Sequence, residues 1–165
     1  MYITSKGIID GKIADRFGKY GDHFDDSGMP TWSLPFQIHE APEGTVSFAL
    51  LLEDKDAVPV CGFSWIHWIA ADITRYEIDE NESQTAKDFV QGTNSRSGAL
   101  RKQDRMAVSC YGGMAPPDQD HLYELHVFAL DTKLDLEKGF YMNEMFKAMN
   151  GHILAQATIS GWYRV

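Results

Sequence analysis

The sequence predicts an all-β fold, an antiparallel β-sandwich with a few peripheral helices, one of them near the C-terminus. Three observations carry that expectation: long segments alternate side chains with a period of two, turn residues punctuate the stretches between them, and helical spacing is confined to the last part of the chain.

The first strand is expected over 45–54, "TVSFALLLED", with Val46, Phe48, Leu50, Leu52 and Asp54 on one face and enough apolar residues on the other to need cover there too. The second is expected over 63–73, "FSWIHWIAADI". Alternation puts Phe63, Trp65, His67 and Ile69 on one side and Ser64, Ile66, Trp68 and Ala70 on the other. The third runs over 121–130, with His121, Tyr123, Leu125, Val127 and Ala129 facing one way and Leu122, Glu124, His126, Phe128 and Leu130 the other. Pro30, Pro35, Pro42, Gly44, Pro59 and Gly62 read as turns between strands. The acidic stretch 76–92 reads as a surface loop with a helical turn. From Asn143 to about Thr158, Phe146, Met149, Ile153 and Ala157 recur at the three-to-four spacing of an amphipathic helix, with Asn143 as its N-cap and Gly151 weakening it.

At 165 residues the chain is expected to be one domain, 1–165, large enough to fold without a metal or disulfide. Its composition, 44% hydrophobic and 24% charged, excludes a disordered or fibrous class. No apolar run approaches the length that spans a membrane, and the first residues lack the pattern of a secretory signal, so a cytoplasmic location is expected. Cys61 and Cys110 lie far apart without a CxxC pattern and are expected as reduced thiols. A net charge of −9 repels phosphate backbones and anionic lipid surfaces, which argues against nucleic-acid and membrane-surface partners. Any anion must therefore be caught locally. Arg96, Arg101, Lys102 and Arg105 gather within "NSRSGALRKQDR"; an ordinary solvated loop is the first reading, and a binding loop or homodimer contact the second.

No Walker loop, GxSxG, HExxH or clustered Cys/His motif occurs, and no cofactor is expected. The chemistry rests on polar groups at strand ends. Asp54 and Asp56 close the first strand, His67 lies within the second, and His121 and Tyr123 open the third from one face. If these strands are neighbours, the groups converge. Each has a plainer alternative: His67 as a core histidine bonded to a carbonyl, Trp65 as core, Asp54 and Asp56 as turn caps. His126, on the opposite face beside Glu124, and His152 are read as structural.

The order of "EDKDA" at 53–57, "WIHW" at 65–68, "GTN" at 92–94, "YGGMAPPDQDHLY" at 111–123 and the terminal "GHILAQATISGWYRV" resembles the phosphatidylethanolamine-binding protein family, in its bacterial Raf-kinase-inhibitor-like branch. The resemblance runs from about Pro35 to Val165. It implies two antiparallel sheets in Greek-key connection with an anion pocket at one end, lined by Asp54, Trp65, His67, Ala115, Pro116, Pro117, His121 and Tyr123. The chain departs from the family pattern where Lys55 replaces a proline, Pro59 is displaced by Val58, Met114 and Ala115 replace a Gly-Pro lead-in, Leu122 replaces an arginine, and the 98–110 segment is long.

Imidazole N–H groups and a phenol can converge on phosphate or carboxylate oxygens, while proline and tryptophan walls exclude water. The leading functional expectation is a non-enzymatic binding module for a small anionic or phosphorylated ligand, with regulation of a protein partner implied by the family. Two alternatives stand beside it. One is a hydrolase with His67 or His121 as general base, against which stands the lack of a recognisable nucleophile. The other is a metal site of His67, His121 and Asp54.

Overall fold

The computed structural model describes residues 1–165. Its main feature is a curled seven-stranded sheet in the order Ile8–Ile9 (β2), Lys12–Ile13 (β3), Ile153–Tyr163 (β10), His121–Leu130 (β9), Ser47–Asp54 (β5), Trp65–Ile73 (β6) and Val90–Gln91 (β8). A three-stranded sheet of Tyr2–Thr4 (β1), Phe36–His39 (β4) and Glu77–Ile78 (β7) lies over one face. Neighbouring strands are antiparallel apart from β3 and β10, which run parallel. Short helices Val58–Cys61 (α1) and Glu82–Thr85 (α2) sit in connections, and the longest, Met142–Met149 (α3), precedes the last strand.

Strand β5 is buried on both sides, as its apolar run requires. Phe48, Leu50 and Leu52 pack with Trp68, Leu125 and Val127 against Ile3, Phe36, Ile38 and Ile78 of the small sheet. Ala49 and Leu51, one residue out of phase, join Ile69, Phe128 and Leu130 against Phe140, Met145 and Met149 around α3. Full burial of a leucine side chain is worth about 1.5–3 kcal/mol, so this two-faced strand anchors both layers.

The three long strands fall where alternation places them, with two local corrections. The first begins at Ser47, leaving Val46 exposed. The second begins at Trp65, and its alternation breaks inside: Leu52 pairs with Trp68 but Glu53 pairs with Ile66, so His67 is the extra residue of a β-bulge. His67 and Trp68 therefore turn to the inter-sheet side, while Ile66 and Ile69 pack on the α3 side. His67 and Ile69 do not share a face, nor does Ile66 share one with Trp68 and Ala70.

The helix expected to reach Thr158 stops at Met149, and Ile153–Tyr163 is a strand against β9. Gly151, at φ 85°, takes the left-handed turn that ends the helical path. Beyond it Ala155, Ala157 and Ile159 pack on the inter-sheet core with period two. The helix start also differs: Tyr141 is the N-cap residue, and its backbone N–H donates to Glu144 Oε2 at 2.7 Å. No helix is long and apolar enough to cross a membrane.

Candidate functional site

The register of β5 and β9 sets Asp54 opposite Tyr123, with His121 two residues further along the same face of β9. Alternation from Trp65, which pairs with Asp54, puts His67 on that face too, where its ring meets the Tyr123 ring edge-on at 5.1 Å between centroids. The loops before α1 and after residue 110 close over these groups and leave a cavity of about 400 Å³. Asp54, Trp65, His67, Ala115, Pro117, His121 and Tyr123 all line it. Pro116 does not. Its carbonyl accepts a hydrogen bond from Lys19 Nζ at 2.7 Å.

The two histidines are pushed toward opposite charge states. His121 is almost fully buried, and both ring nitrogens meet carboxylates: Nδ1 donates to Asp54 Oδ2 at 2.8 Å and Nε2 donates to Asp118 Oδ1 at 2.9 Å. Burial opposes its charge, but the hydrogen bonds and charges of Asp54 and Asp118 outweigh burial and raise its pKa above the ordinary value. His121 is thus held toward the imidazolium form, with no nitrogen left for a ligand or metal. Asp54 completes its own set by accepting the Ala57 backbone N–H at 3.1 Å, and Asp56 accepts that of Leu122 at 2.8 Å. These bonds lock the start of β9 to the loop after β5.

His67 is the neutral partner. Burial lowers its pKa, only partly opposed by the Gly112 carbonyl and the charge of Asp54. Its Nδ1–H donates to Gly112 O at 2.6 Å while the Gly112 N–H returns a bond to His67 O at 2.8 Å, so the lone pair of Nε2 is the free valence. Gly113 lets the loop run close: a Cβ there would lie 2.5 Å from Phe17 O and 2.7 Å from Pro30 Cβ.

Cations arrive from outside the strands. Asn94 Oδ1 accepts the Arg96 N–H at 3.0 Å, and Ser95 Oγ accepts the Ile66 N–H at 2.8 Å, which pins a short turn over β6 and sets Arg96 on the cavity wall. Arg101 and Lys19 line the cavity as well. Burial weighs most heavily against the Arg96 charge; Asp25 supports it and Arg101 opposes it. Two buried donors on the cavity-lining residues have no partner within the protein, Arg96 Nη1 and Tyr123 Oη. Burial first, and then the charge of Asp54, push the Tyr123 hydroxyl well above the usual tyrosine range, so it remains a donor. Val60 and Leu100, both exposed, form an apolar mouth.

A model of the phosphatidylethanolamine-binding protein family matches residues 4–164. The chain belongs to the phosphatidylethanolamine-binding protein family. Among its relatives, the Bacillus subtilis protein YxkA is 43% identical over 158 residues, 93% of this chain and 94% of the other. The crystal structure of the phosphatidylethanolamine-binding protein homologue CT736 from Chlamydia trachomatis superposes with a TM-score of 0.79 at 28% identity, covering 99% of this chain and 97% of that one. Escherichia coli YbcL shares the fold with a TM-score of 0.78 at 24% identity, covering 99% and 98%.

Within this family member, motif order and strand phase located the strand-borne residues of the cavity. They missed Asp118 and Lys19, and gave the engagement of Arg96 and Arg101 only as the second reading of the basic loop. Asp118 lies three residues before His121, the one local signal available for it. The basic loop was read first as solvated; its Lys102 and Arg105 are indeed exposed, whereas Arg96 is half-buried in the cavity wall. Both cysteines are free; Cys61 lies at the cavity, and its thiol donates to Phe63 O at 3.3 Å.

Proposed function

We propose that the chain is a non-enzymatic binding module whose cavity captures a small ligand by a phosphate or carboxylate group, the apolar mouth taking an apolar substituent. The observation that carries this reading is that the unpartnered buried donors Arg96 Nη1 and Tyr123 Oη belong to the wall of the cavity itself. Leaving a buried donor bare costs about 1–3 kcal/mol, and one anion can satisfy both. Arg96, Arg101 and Lys19 supply local positive charge in a chain of net charge −9. Asp54 does not repel the anion at full strength, because His121 cancels its charge. His67 contributes as an acceptor from a ligand hydroxyl or ammonium group, or, once the anion draws a proton to it, as a cationic donor.

Hydrolysis is less well supported. No hydroxyl or thiol is bonded to a ring nitrogen of His67 or His121, the contact a general base needs with its nucleophile. The bacterial Raf-kinase-inhibitor-like branch is the place within the family that the motif order supports, and regulation of a partner protein belongs to the same reading.

Scanning calorimetry with inorganic phosphate tests it. Phosphate at about a hundred times its Kd should stabilise the fold by roughly 2.7 kcal/mol, a rise of about 5–10 °C, while chloride of equal ionic strength should not. Tyr123→Phe should shrink the phosphate effect without lowering the melting temperature of the free protein. Equal shifts from phosphate and chloride would overturn the proposal.

A further inference from the structure

Strands β5 and β9 line the cavity on one face; on the other, a second group of side chains comes together. Glu53 and Glu124 are directly opposed in the β5–β9 register, and His126 follows two residues along the same face. Carboxylates facing each other across antiparallel strands repel, so this pairing calls for a cation. Lys55 supplies one: its Nζ lies 2.5 Å from Glu124 Oε2 and 3.5 Å from Glu53 Oε1, while the side chain remains more than half exposed.

His126 is the observation that exceeds an ordinary ion pair. It is only 9% exposed, and its Nδ1 is hydrogen-bonded to Thr158 Oγ1 on β10 at 2.8 Å. The Thr158 hydroxyl can accept from Nδ1–H, the tautomer that puts the lone pair on Nε2 as a metal ligand requires. Nε2 is buried and has no hydrogen-bond partner; Glu53 Oε1 is 3.2 Å away but out of line for one. In that tautomer the Nε2 lone pair faces a carboxylate oxygen, an arrangement that a cation between them relieves. The carboxylate is also pre-oriented, because Ser64 Oγ donates to Glu53 Oε2 at 2.6 Å and leaves Oε1 turned toward His126.

One imidazole nitrogen and two carboxylate oxygens, all within 4.8 Å of one another, form a donor set for a first-row divalent ion. Tetrahedral bonds of about 2.0–2.2 Å hold donor atoms roughly 3.4 Å apart. The 3.2 Å between Nε2 and Glu53 Oε1 already matches that edge. We propose that Glu53, Glu124 and His126 bind a divalent transition-metal ion, with the Lys55 ammonium standing in the ion's place and swinging into solvent when it binds. Thr158 and Ser64 orient the ligands from behind, and the remaining coordination positions are left to water.

Calorimetric titration of chelator-treated, tag-free protein with Zn²⁺ tests the site, with Mg²⁺ as the control ion. One saturable equivalent of zinc should bind, and Mg²⁺ should not compete. Glu124→Gln and His126→Gln should each weaken zinc binding by tenfold or more, on the order of what disturbing even a ligand's supporting bonds costs. Lys55→Gln should tighten it by roughly two- to fivefold, since a competing surface ion pair worth up to about 1 kcal/mol is removed. These variants leave His39, His152 and both thiols in place, so zinc held at those groups would survive all three changes. No saturable zinc binding, binding indifferent to Glu124→Gln, or weaker binding in Lys55→Gln overturns the proposal. Should His126→Gln fail to fold, the two exposed-side variants still decide it.

Discussion

Replacing Arg96 with methionine separates a ligand-binding arginine from a structural one, because the two roles predict effects of opposite sign. Arg96 is half-buried, its backbone is fixed by Asn94, and its Nη1 has no partner within the protein. In the ligand-free protein that bare nitrogen is a cost of about 1–3 kcal/mol, and methionine fills a similar volume without it. The free Arg96→Met protein should therefore melt at the parent temperature or a few degrees above it. Against phosphate, the variant loses a charge-assisted hydrogen bond worth about 1.5–3 kcal/mol, so its Kd should rise roughly 10- to 150-fold. Calorimetric titration with phosphate at constant ionic strength, paired with scanning calorimetry of the free proteins, reads both quantities. Phosphate affinity within threefold of the parent, or a free variant melting several degrees lower, would refute the assignment.

Stability should peak near pH 6.5. Folding raises the pKa of His121, so its contribution is complete below the unfolded histidine value of about 6.5 and is lost as pH climbs through the folded value. Folding lowers that of His67, so below about pH 6.5 the unfolded chain binds a proton the folded one does not, and stability falls on that side too. Denaturant melts across pH 5–8 should show both limbs, with Asp118→Asn flattening the alkaline one; a steady rise from pH 6.5 to 8 would contradict the charge states given to the two rings. Gly113→Ala should destabilise the fold by about 1–3 kcal/mol, because its Cβ meets the Phe17 carbonyl and Pro30 at 2.5 and 2.7 Å. An unchanged melting temperature would mean that the loop over His67 yields more readily than its packing implies.

Legibility in the sequence followed the length over which a pattern could repeat. Strand β9 matches its expected ends, since ten residues of alternation bracketed by Asp120 and Asp131 leave little room for slippage. Strand β6 kept its place but lost its phase after His67, because a bulge costs one residue and the sequence does not mark which; here it is His67, and the break leaves His67 and Trp68 both on the inter-sheet side. The stripe of Phe146, Met149, Ile153 and Ala157 was misread beyond Met149, since residues at that spacing fit a helix until Gly151 takes a left-handed conformation and β9 offers a long unpaired edge. Strands of two to four residues such as β2, β3 and β7 are too short to show a period.

The candidate site divides the same way. Asp54, His121 and Tyr123 were legible because a strand fixes which side chains share a face. The protonation of His121 was not, for it needs Asp118 on a loop. The cationic wall was not either, for Arg96 reaches the cavity only through bonds from Asn94 and Ser95 that no local pattern announces.

The most direct measurement is a crystal structure of the protein grown with selenate, a tetrahedral anion whose selenium is located by its anomalous signal. An anion pocket predicts one strong peak inside the cavity, its oxygens within hydrogen-bond distance of Arg96 Nη1 and Tyr123 Oη and facing the ring of His67. A cavity without a peak under saturating selenate, or selenate bound only at exposed arginines such as Arg164, would contradict it.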